Sequence, residues 1–158
     1  MEAYAGFLRV LSRITSLVVM AMLSVLVVIV LLAVFFRYVL NDSLTWSSEV
    51  ARYMCIWIGF LGASLTLRER GHIGLEFFIQ RMGEEGRRFV SLGCYLLVLA
   101  FLVVVTVLGF EMALAQVEQE SSALEISMLW PYLSVPVGAV LMALQAVELI
   151  AADLKGTR

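Results

Sequence analysis

From Ile14 to Phe36 the chain reads ITSLVVMAMLSVLVVIVLLAVFF, a run without one ionisable side chain. At 1.5 Å per residue a helix over such a run spans roughly 33 Å, enough to cross a hydrocarbon core of about 30 Å. Three more stretches are free of charge: Tyr53 to Leu67, Phe89 to Phe110 and Ile126 to Val147. The second is short, and reaches spanning length when its helix begins near Trp46 and holds Glu49 and Arg52 at the interface. The sequence thus predicts an all-α integral membrane protein, one membrane domain over 1–158, with spans at about 14–36, 46–67, 89–110 and 126–147. Composition agrees, since 62% of the residues are hydrophobic, 15% are charged and the mean hydropathy is +0.98, outside the range of soluble domains. The first run is too long for a signal-peptide core and has no small-residue cleavage site, so it is expected to be retained as a span.

Charge sets an expected orientation. Arg9 and Arg13 precede the first span, Arg37 and Arg52 lie between the first and second, and Arg68, Arg70, Arg81, Arg87 and Arg88 lie between the second and third. Lys155 and Arg158 follow the fourth span, and the third connection carries no cation. With both ends in the cytoplasm, nine cationic residues fall inside and two outside, which satisfies the positive-inside rule. The third connection, with Glu111, Glu118, Glu120 and Glu125, makes the external face acidic.

The connections leave little room for a folded aqueous domain, and the residues needed for chemistry are missing. His72 is the only histidine, so a haem held by paired axial histidines is not available. Cys55 and Cys94 fall inside spans and have no metal-ligand spacing, which predicts neither disulfide nor metal nor other cofactor. No span has a carboxylate near its centre, as a small proton-coupled exporter would need. Hydroxyls such as Ser24, Ser64 and Thr106 have no base nearby in sequence and are expected to bond to helix carbonyls or across to a neighbouring helix. Neither catalytic nor substrate-binding residues are expected, and no nucleic-acid partner.

The densest polar cluster is Arg37, Asn41, Asp42, Trp46, Glu49 and Arg52, at the junction of the first two spans. Glu49 and Arg52 are neighbours on a helix face, and Arg37 could reach Glu49 in a shared network. Ordinary interfacial anchoring, with arginines reaching to the headgroups and Trp46 in the aromatic belt, is the plainer alternative. Between spans two and three, Leu75, Phe78, Ile79 and Met82 share one stripe, opposite Glu76, Gln80 and Arg81, which predicts a short interfacial helix over about 73–82. Such a helix could dock a partner or membrane lipids, or serve only as an apolar connector. Gly59 with Ala63, and Gly62 with Thr66, have the spacing that lets helices approach closely, so span two is expected to be the most buried. In span four, Pro136 removes a backbone donor, and a kink relieved by Gly138 is expected.

Several motifs then appear in one order: Phe36-Arg37-Tyr38, Ser43-Leu44-Thr45-Trp46, Glu49-Val50-Ala51-Arg52-Tyr53, Gly62-Ala63, Gly71-His72-Ile73, Ile126-Ser127 and Val135-Pro136-Val137-Gly138. In this the chain resembles the small membrane subunit, the DctQ type, of tripartite ATP-independent periplasmic (TRAP) transporters. Each motif is short and degenerate; their order and spacing carry the resemblance, from about Arg37 to Met142. It implies a scaffold subunit in a bacterial or archaeal cytoplasmic membrane, packed against a large multi-span subunit that performs sodium-coupled uptake. A periplasmic solute-binding protein would deliver the solute, expected to bear a carboxylate or sulfonate, mainly to the large subunit. It also implies that Arg37, Trp46, Glu49 and Arg52 form a structural network at the subunit contact. The alternatives are a self-sufficient homo-oligomeric transporter or channel, for which the spans lack polar lining, and a membrane anchor for an unrelated complex.

Overall fold

The computed structural model describes residues 2–68 and 84–154. The expected interfacial helix over 73–82, with Leu75, Phe78, Ile79 and Met82, lies outside the described residues, as does His72. Four helices account for most of what is described: α1 (Glu2–Phe35), α2 (Thr45–Arg68), α3 (Glu84–Ala115) and α4 (Leu129–Leu154). Each is long and apolar enough to cross a membrane, and the chain is a multi-pass membrane protein. Inside a bilayer no water is available to the backbone, so runs rich in valine and isoleucine close their hydrogen bonds within a helix whatever their preference in water.

The helix ends show how the sequence sets their limits. α1 loosens into a π-helical turn at Phe36–Leu40, and Asn41 then turns left-handed at φ 53° with its N–H bonded to the Phe36 carbonyl. Asparagine tolerates that conformation better than most residues, and it ends the helix. The fourth helix starts at Leu129 rather than at Ile126, because Ser127 caps it: its hydroxyl accepts the Leu129 N–H at 3.3 Å and donates to the Val117 carbonyl at 2.7 Å. Ile126 and Ser127 belong instead to the connection, where Ser127 pairs with Glu120 in a single antiparallel bridge.

The helices lie in the order α1, α2, α4, α3, and α1 and α3 do not touch among the described residues. α4, not α2, is the most buried span, since it packs against α2 on one side and α3 on the other. Both contacts depend on glycine. A Cβ on Gly138 would lie 2.6 Å from the Phe60 Cβ and 3.1 Å from the Phe60 carbonyl oxygen, so α2 and α4 meet backbone to side chain at that point. A Cβ on Gly109 would lie 3.1 Å from Pro136 Cδ, a close but less tight approach of α3 to α4. α4 continues as a helix through Pro136, which is fully buried. Between α3 and α4, Leu102, Ala139 and Ala146 form a buried apolar core, and Val98, Leu99 and Met142 pack around it. At the opposite end of α1 the Tyr4 hydroxyl donates to the Leu144 carbonyl at 2.8 Å, tying the first helix to the last. Burial, and secondarily the Glu148 carboxylate, pushes the Tyr4 hydroxyl up from its ordinary range, so it remains a neutral donor at physiological pH.

Candidate functional site

At the end where α1 passes to α2 and α3 to α4, a single carboxylate organises the surroundings. Glu49 stands a little over one turn into α2 and is buried. Its Oε1 accepts the Tyr53 hydroxyl at 2.8 Å, one helical turn further along the same face. Its Oε2 accepts the backbone N–H groups of Ala123 and Leu124, each at 3.0 Å. The hydroxyl of Tyr53 also lies 3.3 Å from the Met128 sulfur. A buried carboxylate is costly unless hydrogen-bonded, and here the tip of the α3–α4 connection supplies the donors.

That connection is shaped to do so. The Ser121 N–H bonds to the Ile126 carbonyl at 2.9 Å and the Met128 N–H to the Gln119 carbonyl at 2.8 Å, closing a narrow hairpin. Glu125 turns left-handed at φ 52° to close its tip. Ser121 is buried beside the tip. A further tie joins α2 to the first turn of α4 just beyond it, as the Trp57 indole N–H donates to the Trp130 carbonyl at 3.2 Å. The connection is therefore clasped to α2.

Arg52 is the expected neighbour of Glu49, but at a long 3.7 Å and with its side chain 63% exposed. Its guanidinium sits over the Tyr53 ring, 5.5 Å from the centroid. Arg37 is not part of a network with Glu49: among the described residues no acid lies within ion-pair distance of it, and its guanidinium lies over the ring of Tyr38 at 5.7 Å. Trp46 stands at the start of α2, partly exposed. Of the packing residues, Gly138 is in close contact, whereas Gly59 and Gly62 have nothing within 4 Å of an added Cβ. The partners that sequence reasoning missed are Tyr53, Ala123 and Leu124. The i, i+4 spacing of Glu49 and Tyr53 was a signal for the first; two backbone N–H groups far along the chain leave none.

The arrangement holds structure. Among the described residues Glu49 is the only charged side chain that is buried, and no group of three possible metal ligands occurs. A groove between α3 and α4, lined by Val103, Thr106, Val107, Val140, Ala143 and Val147, is almost wholly apolar, and the Thr106 hydroxyl is bonded back to the Leu102 carbonyl at 2.7 Å.

Over residues 26–156 the chain matches the family of tripartite ATP-independent periplasmic transporters, DctQ component. It belongs to that family. As a DctQ component it is a part of a transport system, not an enzyme. It is 26% identical over 142 residues to the sialic acid TRAP transporter small permease protein SiaQ of Vibrio cholerae, a match covering 90% of this chain and 82% of that one. It is 28% identical over 106 residues to a putative TRAP transporter small permease protein of Haemophilus influenzae, covering 62% of this chain and 64% of that one. It is also 28% identical over 115 residues to the sialic acid TRAP transporter permease protein SiaT of Haemophilus influenzae, where 71% of this chain corresponds to only 18% of a much longer protein.

Proposed function

We propose that this DctQ component is the small scaffold subunit of a TRAP-type secondary transporter in a cytoplasmic membrane, packed against a larger permease subunit that carries out the uptake. The observation that carries this reading is Glu49. The buried charge of the described spans is consumed by bonds within the chain, to Tyr53, Ala123 and Leu124, so it holds the fold and is not free to bind a solute or a coupling ion. The match to a short part of the long SiaT permease supports the pairing, because there a DctQ-like stretch and the rest of a permease share one polypeptide.

In this reading the larger subunit performs sodium-coupled transport and receives the solute from a periplasmic binding protein. The solute carries a carboxylate or a sulfonate. Relatives named for sialic acid, C4-dicarboxylates and isethionate support that class, as all three are organic anions. Both chain ends face the cytoplasm, and the clasped connection faces outward. Co-expression with the permease neighbour, followed by purification through a tag on this chain, tests the assignment. A large multi-span partner should be recovered, and proteoliposomes holding this chain alone should be inert. Sodium-driven uptake by this chain alone, or recovery without any large membrane partner, would overturn it.

A further inference from the structure

The clasp contains one soft, oxidisable atom, the thioether sulfur of Met128. This residue is partly exposed and lies in a turn of the α3–α4 connection, one residue before α4 begins. Met20, Met22, Met54, Met112 and Met142 instead stand within the four long apolar helices, where hydrocarbon or packed side chains surround them. Among these methionines Met128 is the one that a water-borne reagent reaches first.

Both parts of Met128 bear on the clasp. Its backbone N–H donates to the Gln119 carbonyl at 2.8 Å and closes the hairpin. Its sulfur lies 3.3 Å from the Tyr53 hydroxyl, which in turn lies 2.8 Å from Glu49 Oε1. A phenol has one proton to give, and a carboxylate accepts it far better than a thioether does. The proton therefore goes to Glu49, and the sulfur rests against the phenol oxygen in simple contact. At 3.3 Å no further atom fits between them.

We propose that Met128 is an oxidation site through which a peroxide acts on the clasp: conversion to the sulfoxide loosens the hold of the α3–α4 connection on Glu49. A sulfur lone pair takes one oxygen from the peroxide, the O–O bond breaks, and the second oxygen leaves as water. Sulfur loses two electrons and the peroxide gains them. The product is polar and chiral where the thioether was apolar. Set toward Tyr53, the new oxygen competes with Glu49 for the single phenol proton. Set away from it, the oxygen draws the side chain toward water. In both cases the contact that seats the connection against Tyr53 is lost, and Glu49 is left to the N–H groups of Ala123 and Leu124. The inference concerns this chain alone and does not depend on which subunit it packs against.

The test uses the purified chain, treated with dilute hydrogen peroxide and followed by peptide mass spectrometry. Met128 should convert several-fold faster than Met20 or Met112, which are exposed on helix surfaces. On conversion the melting temperature should fall by a few degrees, and the amides of Ala123 and Leu124 should exchange with solvent about tenfold faster. Methionine sulfoxide reductases of both epimer specificities, added together, should restore both readings. Met128→Leu, close in volume, should keep its melting temperature through the same treatment. Tyr53→Phe lacks the proton in question and should lose less on oxidation than the wild type, whereas a sulfoxide acting only through bulk or polarity would cost both equally. Three results would each overturn the inference: conversion of Met128 no faster than that of Met20 and Met112, unchanged exchange at Ala123 and Leu124 after conversion, or equal losses in wild type and Tyr53→Phe. Should Met128→Leu fail to fold, reductase reversal and the Tyr53→Phe comparison decide the matter without it.

Discussion

At the scale of single residues, Glu49 has the most consequences. Tyr53→Phe removes one donor from its carboxylate and should destabilise the purified chain by about 1 kcal/mol, read as a drop of a few degrees in melting temperature. Glu49→Gln should cost more, because an amide has one acceptor oxygen where the carboxylate has two and cannot satisfy Tyr53 and the two N–H groups together. A Glu49→Gln chain as stable as wild type would show that the clasp contributes nothing. Arg37→Ala and Glu49→Ala should be additive in unfolding measurements, as the two side chains share no contact; a coupling energy above about 0.5 kcal/mol would place them in one network after all. Removing Arg52 should cost the isolated chain under about 1 kcal/mol, the range of an exposed ion pair. The sequence marked Glu49 as unusual by its place at the edge of an apolar run, but could not name its main partners. Ala123 and Leu124 act through backbone groups, which no residue identity announces, and the bonds cross more than seventy positions.

At the scale of elements, glycine spacing was legible while its meaning was not. Gly59 and Gly62 read as sites of close approach and Gly138 as relief for a kink, yet of these three only Gly138 meets a neighbour inside the chain, the Phe60 of α2. Which face of a helix points inward depends on the order of the helices, and that order is not written in any one span. Gly138→Ala should therefore lower stability by about 1–3 kcal/mol through overpacking, whereas Gly59→Ala should leave it within about 1 kcal/mol of wild type. Chemical or thermal unfolding of the two variants in one detergent compares them directly, and equal losses would mean that the α2–α4 contact is not tight. The start of α4 teaches a related point. An uncharged run can extend past the helix it contains, and Ser127, a capping residue near the start of that run, places the boundary at Leu129.

At the scale of the whole molecule, four spans were legible because hydrocarbon thickness imposes their length, whereas their lateral order had to come from the structure. The row α1, α2, α4, α3 leaves α1 and α3 apart among the described residues and much apolar surface open to lipid or to another subunit. A compact bundle would bury more of each helix; an open row suits a chain that enlarges another protein. Charge predicts its orientation. Each turn from helix to helix alternates sides, so the α1–α2 and α3–α4 connections share one face with the Glu49 clasp, and the two chain ends share the other with the α2–α3 connection. Two cationic residues fall on the clasp side and nine on the opposite side, and translocating nine would run against the bias that fixes topology during insertion. In cells, single cysteines introduced near Glu118, in a background lacking Cys55 and Cys94, should react with a membrane-impermeant maleimide added from outside. Cysteines near Arg87 should react only after the membrane is opened. The reverse pattern would place the clasp in the cytoplasm and overturn the orientation read from charge.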